Sequence, residues 1–114
     1  MTTFQIGRRA EAKAAEYLKQ KGLELLEQNW RTRYCEIDIV GRQNQTIYFI
    51  EVKYRSKDTQ GTGVDYITAK KLQQMTFAAE LWVAKTRWSG NYQLAAVEVS
   101  GPEFIVTDFL DDLS

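Results

Sequence analysis

Four ionisable side chains set into otherwise apolar sequence are the groups best placed to do chemistry: Glu11, Asp38, Glu51 and Lys53. Asp38 lies in Cys35-Glu36-Ile37-Asp38-Ile39-Val40, and Glu51 and Lys53 lie in Ile50-Glu51-Val52-Lys53, both strand-prone runs. Alternate side chains of a strand share a face, so Glu36 goes with Asp38 and Glu51 with Lys53. The polar stretch Gly41 to Thr46 reads as a turn that folds one run back on the other and brings Asp38 near Glu51. Two carboxylates in a semi-buried site repel unless a proton, a cation or a metal ion separates them, and a hard divalent cation with oxygen ligands is the separator that also does chemistry. On this reading Asp38 and Glu51, with the backbone carbonyl of Val52, ligate one Mg2+ or Mn2+, which lowers the pKa of a water that attacks phosphorus. Lys53 positions that water or neutralises charge on the phosphate.

Glu11 comes from a helix. Thr2-Thr3-Phe4-Gln5 reads as a capping box, the helix runs to Lys21, and Gly22 ends it. Gly7, Ala14, Ala15 and Leu18 share the stripe of Glu11, so this carboxylate sits on the small, apolar face and becomes an additional or outer ligand. The alternative is structural: Glu51 and Lys53 pair with a neighbouring strand, Asp38 pairs with an arginine, and Glu11 accepts from the backbone. Convergence of three carboxylates weighs for the cation, because removing them from water without one costs several kcal/mol.

A strand over Leu23 to Arg31, the strand around Asp38 and a strand from Thr46 to Tyr54 read as a meander. The last has apolar residues on both faces, as a covered central strand does. Arg55 to Asp65, with Gly61 and Gly63, reads as a loop. A second helix from Thr68 carries Leu72, Met75, Thr76, Ala79, Trp82 and Val83 at helical spacing and packs on the sheet. Its first turn holds Lys70 and Lys71, where the helix dipole is already positive, so a bound anion or a neighbouring acid is needed there. Strands over Tyr92 to Val99 and Phe104 to Asp108 follow around Ser100-Gly101-Pro102-Glu103, and the acidic end from Asp108 to Ser114 is expected to fray.

The 114 residues have the composition of one globular domain, 1–114, with no apolar run long enough for a membrane span and no secretory pattern at the start, which points to the cytoplasm. Histidine is absent, which excludes Ser-His-Asp and Cys-His nucleophile sites in their usual form and histidine zinc sites. Cys35 is the single cysteine and reads as a small core residue. All 15 Lys and Arg precede Trp88 together with 10 of the 15 acids, so the remaining five acids stand uncompensated in the last stretch. A local basic region therefore attracts phosphate while the zero total argues against strong non-specific DNA binding by a monomer. Arg31, Arg33, Arg55, Lys57, Lys70 and Lys71 are the basic residues nearest the proposed site and the candidates for phosphate contact. Trp30, Trp82 and Trp88 read as core before base-stacking groups.

Gly7-x-x-x-Glu11, Gly22, Asn29 through Arg31, Glu36-Ile37-Asp38, Phe49-Ile50-Glu51-Val52-Lys53-Tyr54-Arg55 and Thr68-x-x-Lys71 resemble, over most of the chain, the YraN family of predicted bacterial endonucleases. That family is similar to archaeal Holliday junction resolvases within the PD-(D/E)xK nuclease superfamily. The resemblance implies a single α/β domain, restriction-endonuclease-like, with a central mixed sheet of about five strands flanked by helices, and a Mg2+- or Mn2+-dependent hydrolase of DNA phosphodiester bonds. It makes Asp38, Glu51 and Lys53 the catalytic motif and Glu11 the helix-borne acid. The chain departs from it in three places: Cys35 where glycine is usual, Ile37 at the proline place of the superfamily motif, and Leu94-Ala95 for a frequent Phe-Asp pair. The expected function is an endonuclease on DNA, branched DNA included, working as a homodimer so that two symmetric sites cut paired strands; a non-catalytic nucleic-acid or protein adaptor that keeps the fold is the alternative.

Overall fold

The computed structural model describes residues 1–56 and 67–114; Lys57 and most of the loop expected over Arg55 to Asp65 lie outside them. Helix α1 spans Thr3–Gln20 and opens on the capping box read from the sequence: Thr2 Oγ1 accepts from Gln5 N–H and Gln5 Oε1 accepts from Thr2 N–H. It closes on a paired Schellman turn, with Gly22 N–H donating to Lys19 O and Leu23 N–H to Leu18 O. That turn places Gly22 at φ 96°, a conformation glycine adopts without strain. Strands β1 (Glu24–Arg31), β2 (Glu36–Gln43) and β3 (Thr46–Arg55) form an antiparallel meander. Gln43 pairs with Thr46, so the β2–β3 turn is only Asn44-Gln45, shorter than the Gly41 to Thr46 turn expected. Asn44 supplies its left-handed residue, at φ 56°.

Helix α2 (Ala69–Thr86), capped by Thr68 Oγ1 accepting from Lys71 N–H, carries the chain over to β4 (Asn91–Ser100), which pairs parallel with β3. β5 (Ile105–Leu110) returns antiparallel on β4, giving one mixed sheet in the order β1-β2-β3-β4-β5 with β3 at its centre. The two helices cover opposite faces. Ala10, Ala14, Ala15 and Leu18 of α1 pack on Ile39, Ile50, Ala95, Val97 and Val99. Small alanines let that helix lie close to the sheet. Met75, Ala78, Ala79 and Trp82 of α2 pack on Ile37, Val40, Ile47, Phe49 and Ala96.

The acidic end does not fray as expected: Leu113 is buried in the α2 core and its N–H donates to Leu94 O at 2.9 Å. An apolar side chain and a backbone bond outweigh the neighbouring acids. Ile37 fills the core under α2. Among the described residues no helix is long and apolar enough to cross a membrane.

Candidate metal centre

The β2–β3 ladder runs from Gln43 and Thr46 to Ile39 and Ile50 and stops there. β1 continues along β2 as far as Glu36, and β4 continues along β3 as far as Arg55. The sheet therefore opens between its second and third strands at the level of Asp38 and Glu51, while each strand stays held by its outer neighbour. Asp38 fills the opening. Its Oδ2 accepts from Val52 N–H at 2.8 Å, in place of a ladder bond. Ile37 packs under α2 and Ile39 under α1, so the two-residue alternation of β2 breaks at Asp38 and its carboxylate points along the split. Across from it on β1, between the pairs Gln28–Ile39 and Trp30–Ile37, Asn29 takes the left-handed conformation at φ 52°, which asparagine tolerates better than most residues.

On the α1 side, Glu11, Glu36 and Asp38 each offer a carboxylate oxygen, and these atoms lie within 4.8 Å of one another. Asn29 Nδ2 donates to Glu11 Oε1 at 3.0 Å and to Glu36 Oε1 at 3.5 Å, while Asn29 Oδ1 accepts from Arg8 Nη1 at 2.6 Å. Arg31 Nε lies 3.1 Å from Glu36 Oε2. On the α2 side, Glu51 is only 6% exposed, with Lys53 Nζ at 3.6 Å and Lys71 Nζ at 3.7 Å from the same Oε2 atom. Asp38 joins the two halves, hydrogen-bonded to Glu51. Its carboxyl is pushed up to about 8, first by burial and next by the charge of Glu51, with Glu11 adding and the Val52 N–H opposing. Among the described residues no ion pair reaches Asp38. Burial also raises the Cys35 thiol, with the charges of Glu51 and Asp38 adding and Lys71 opposing, which places this residue beside the site.

The donors are carboxylate oxygens throughout, the set that Mg2+ and Mn2+ accept, and they stand around an acid whose carboxyl is pushed up by burial and by the charge of Glu51. The residues fit such an ion. Asp38 lies beside Glu51 and Glu11, with Lys53 on Glu51, and it gets there through the break in β2 rather than through regular alternation; Val52 enters through its N–H. Glu36 belongs with them, and its place on the face of Asp38 was the available signal. Asn29 carried no local signal, because its role depends on a backbone conformation.

The basic residues disperse. Lys71 is committed to Glu51, so at this helix start the neighbouring acid answers the dipole. Lys70 is exposed on the first turn of α2, Arg31 lies on Glu36, and the exposed Arg33 has its guanidinium 5.4 Å from the Tyr34 ring. Arg55 is 13% exposed and sits 3.1 Å from the buried Glu98. Trp82 packs in the core and donates its indole N–H to Glu27 at 2.7 Å. A cavity of about 440 Å3 between Leu72, Tyr92, Leu94 and Leu113 includes none of the candidate residues in its lining.

The model of an uncharacterised protein family, UPF0102, matches residues 10–99, which carry all four candidate carboxylates and both lysines. A UPF0102 protein of Vibrio parahaemolyticus is 39% identical over 83 residues, 73% of this chain and 69% of that protein. One of Cytophaga hutchinsonii is 34% identical over 93% of this chain and 94% of its own length, and one of Mycobacterium tuberculosis 38% over 78% and 73%.

Proposed function

The chain belongs to the uncharacterised protein family UPF0102, and on that premise we propose that it is a Mg2+- or Mn2+-dependent endonuclease that hydrolyses DNA phosphodiester bonds. The observation that carries this reading is Asp38: a half-buried carboxyl set into a split in the sheet, pushed up to about 8, with three more carboxylates around it. Gathering one buried and three half-buried acids is costly, and a fold that needed only stability would place apolar groups there. Asp38, Glu51, Glu11 and Glu36 would hold the ion. A divalent ion bound among them supplies charge neutralisation for the phosphate and acidifies a water nucleophile.

The chain's own groups do the rest. Asp38 would give up its proton to solvent on binding the ion, and Val52 N–H keeps the carboxyl aimed. Lys71, the less exposed of the two lysines on Glu51, holds that carboxylate in place. Lys53, more exposed and on the same strand face as Glu51, reaches toward solvent to orient water or meet a non-bridging phosphate oxygen. Lys70, Arg31 and Arg33 are exposed and supply phosphate contacts; Arg55, held by Glu98, is the weakest of the candidates for that role. Cutting paired strands calls for a second copy of the chain.

The test is cleavage of labelled branched, single-stranded and duplex DNA with Mg2+ or Mn2+, with Asp38→Ala and Glu51→Ala as controls. Cutting that is lost in both variants is the expected result. Cutting that survives in both removes the proposal, and binding without cutting under every metal favours the adaptor.

A further inference from the structure

Resting on the nuclease reading above, we propose that Tyr34 and Phe77, flanked by Arg33 and Lys70, form a stacking platform for an unpaired base of single-stranded DNA beside the carboxylates. Tyr34 is 37% and Phe77 42% exposed, with ring centroids 5.3 Å apart and planes at 46°. The fold does not need Phe77 for its core, since α2 buries Met75, Ala78, Ala79 and Trp82. Both rings are nevertheless held. Thr32 Oγ1 accepts from the N–H groups of Tyr34 at 3.0 Å and Cys35 at 3.1 Å and donates to Cys35 O at 2.9 Å, while Thr32 N–H also donates to Cys35 O. That closed turn fixes Tyr34, and the middle of a helix fixes Phe77. An exposed aromatic pair on rigid supports is preorganised, so an incoming ring does not have to order it.

The surroundings select the occupant. The Arg33 guanidinium lies 5.4 Å from the Tyr34 ring, and Lys70 precedes Phe77 by two helical turns on the same face, roughly 10 Å away. An apolar protein partner would bury both cations without counter-charge, whereas a nucleic-acid strand brings a π face and a phosphate together. Duplex bases already have their faces covered; only an unpaired base is free to stack. Cys35, next to Tyr34, is within electrostatic reach of Asp38, Glu51 and Lys71, so a base on the platform would set its backbone near the carboxylates.

Fluorescence anisotropy of a labelled oligothymidylate and of a hairpin duplex, in EDTA so that nothing is cut, tests this. Tyr34→Ala and Phe77→Ala should each weaken oligothymidylate binding by about fivefold to a hundredfold, the range that loss of one base–aromatic stack produces. Duplex affinity should be unchanged, which also shows the variants to be folded, and Tyr34→Phe should bind as the parent does. A parent that ignores oligothymidylate, variants that keep the parent's affinity, or equal losses on both DNAs would overturn the platform. So would a loss of dimer mass in solution without a loss of affinity, which would make a second copy the occupant. Aromatic-dependent binding by a protein that cuts nothing with Mn2+ leaves the platform standing and removes the hydrolase; Asp38-dependent cutting by variants of undiminished affinity does the reverse.

Discussion

Replacing Asp38 with Asn should make the metal-free protein more stable, and the gain should depend on pH. The folded carboxyl is pushed up to about 8 against an ordinary 3.8, so between those values the native state holds a proton that the unfolded chain has released. Stability therefore falls as pH rises through the window. At 1.36 kcal/mol per pH unit the loss across about four units is roughly 5 kcal/mol, a large part of the stability of a small domain. Asn keeps the shape of the protonated acid, its Oδ1 can accept from Val52 N–H, and its amide can donate to Glu51. Thermal unfolding of parent and variant in EDTA should show little difference near pH 4, a gap opening to on the order of 20 °C by pH 8, and no further growth above it. Mn2+ at pH 8 should raise the melting temperature of the parent and leave Asp38→Asn where it was. A gap that is flat with pH, or a variant less stable than the parent, would refute the claim that Asp38 is an acid stranded by burial.

Lys71→Met leaves the buried Glu51 with Lys53 as its cation partner among the described residues, and urea unfolding should show a loss of about 2–3 kcal/mol. Lys53→Met, at the more exposed lysine, should lower cleavage by about a hundredfold or more while costing less stability. Arg55→Ala should cost about 3 kcal/mol by removing a charge partner of the buried Glu98, which keeps its bond from Thr107, with DNA affinity changed little; a large fall in affinity at intact stability would return Arg55 to the phosphate-binding set. Leu113→Ala should destabilise by about 2 kcal/mol, measured by chemical unfolding, because this side chain closes the α2 core; no effect would mean that the end is loose in solution.

Periodicity and caps made most of the fold legible. Thr2 and Gln5, Gly22, the two-faced apolar strand over Thr46 to Tyr54 and the helix from Thr68 are local signals, and each element forms where its signal lies. Glu51 and Lys53 could be paired because alternation fixes which side chains share a strand face, and Glu11 because helical spacing sets its stripe. What escaped depends on contacts distant in sequence. The split that admits Asp38 comes from the ladder ending at Ile39 and Ile50, and Asn29 joins through a left-handed backbone angle. Lys71 and Arg55 read as phosphate binders because a cation's partner acid is invisible until the strands are paired; Glu51 and Glu98 hold them. Leu113 looked loose because acids surround it, yet one backbone bond to Leu94 and a place under α2 hold it.

Diffraction from crystals soaked in Mn2+, recorded at the manganese absorption edge, bears most directly on the central claim. The account predicts one anomalous peak touching a carboxylate oxygen of Asp38 together with Glu51 or Glu11, lost in crystals of Asp38→Asn. Full occupancy of Mn2+ elsewhere on the surface, with Asp38 still bonded only to Glu51 and Val52 N–H, would contradict it.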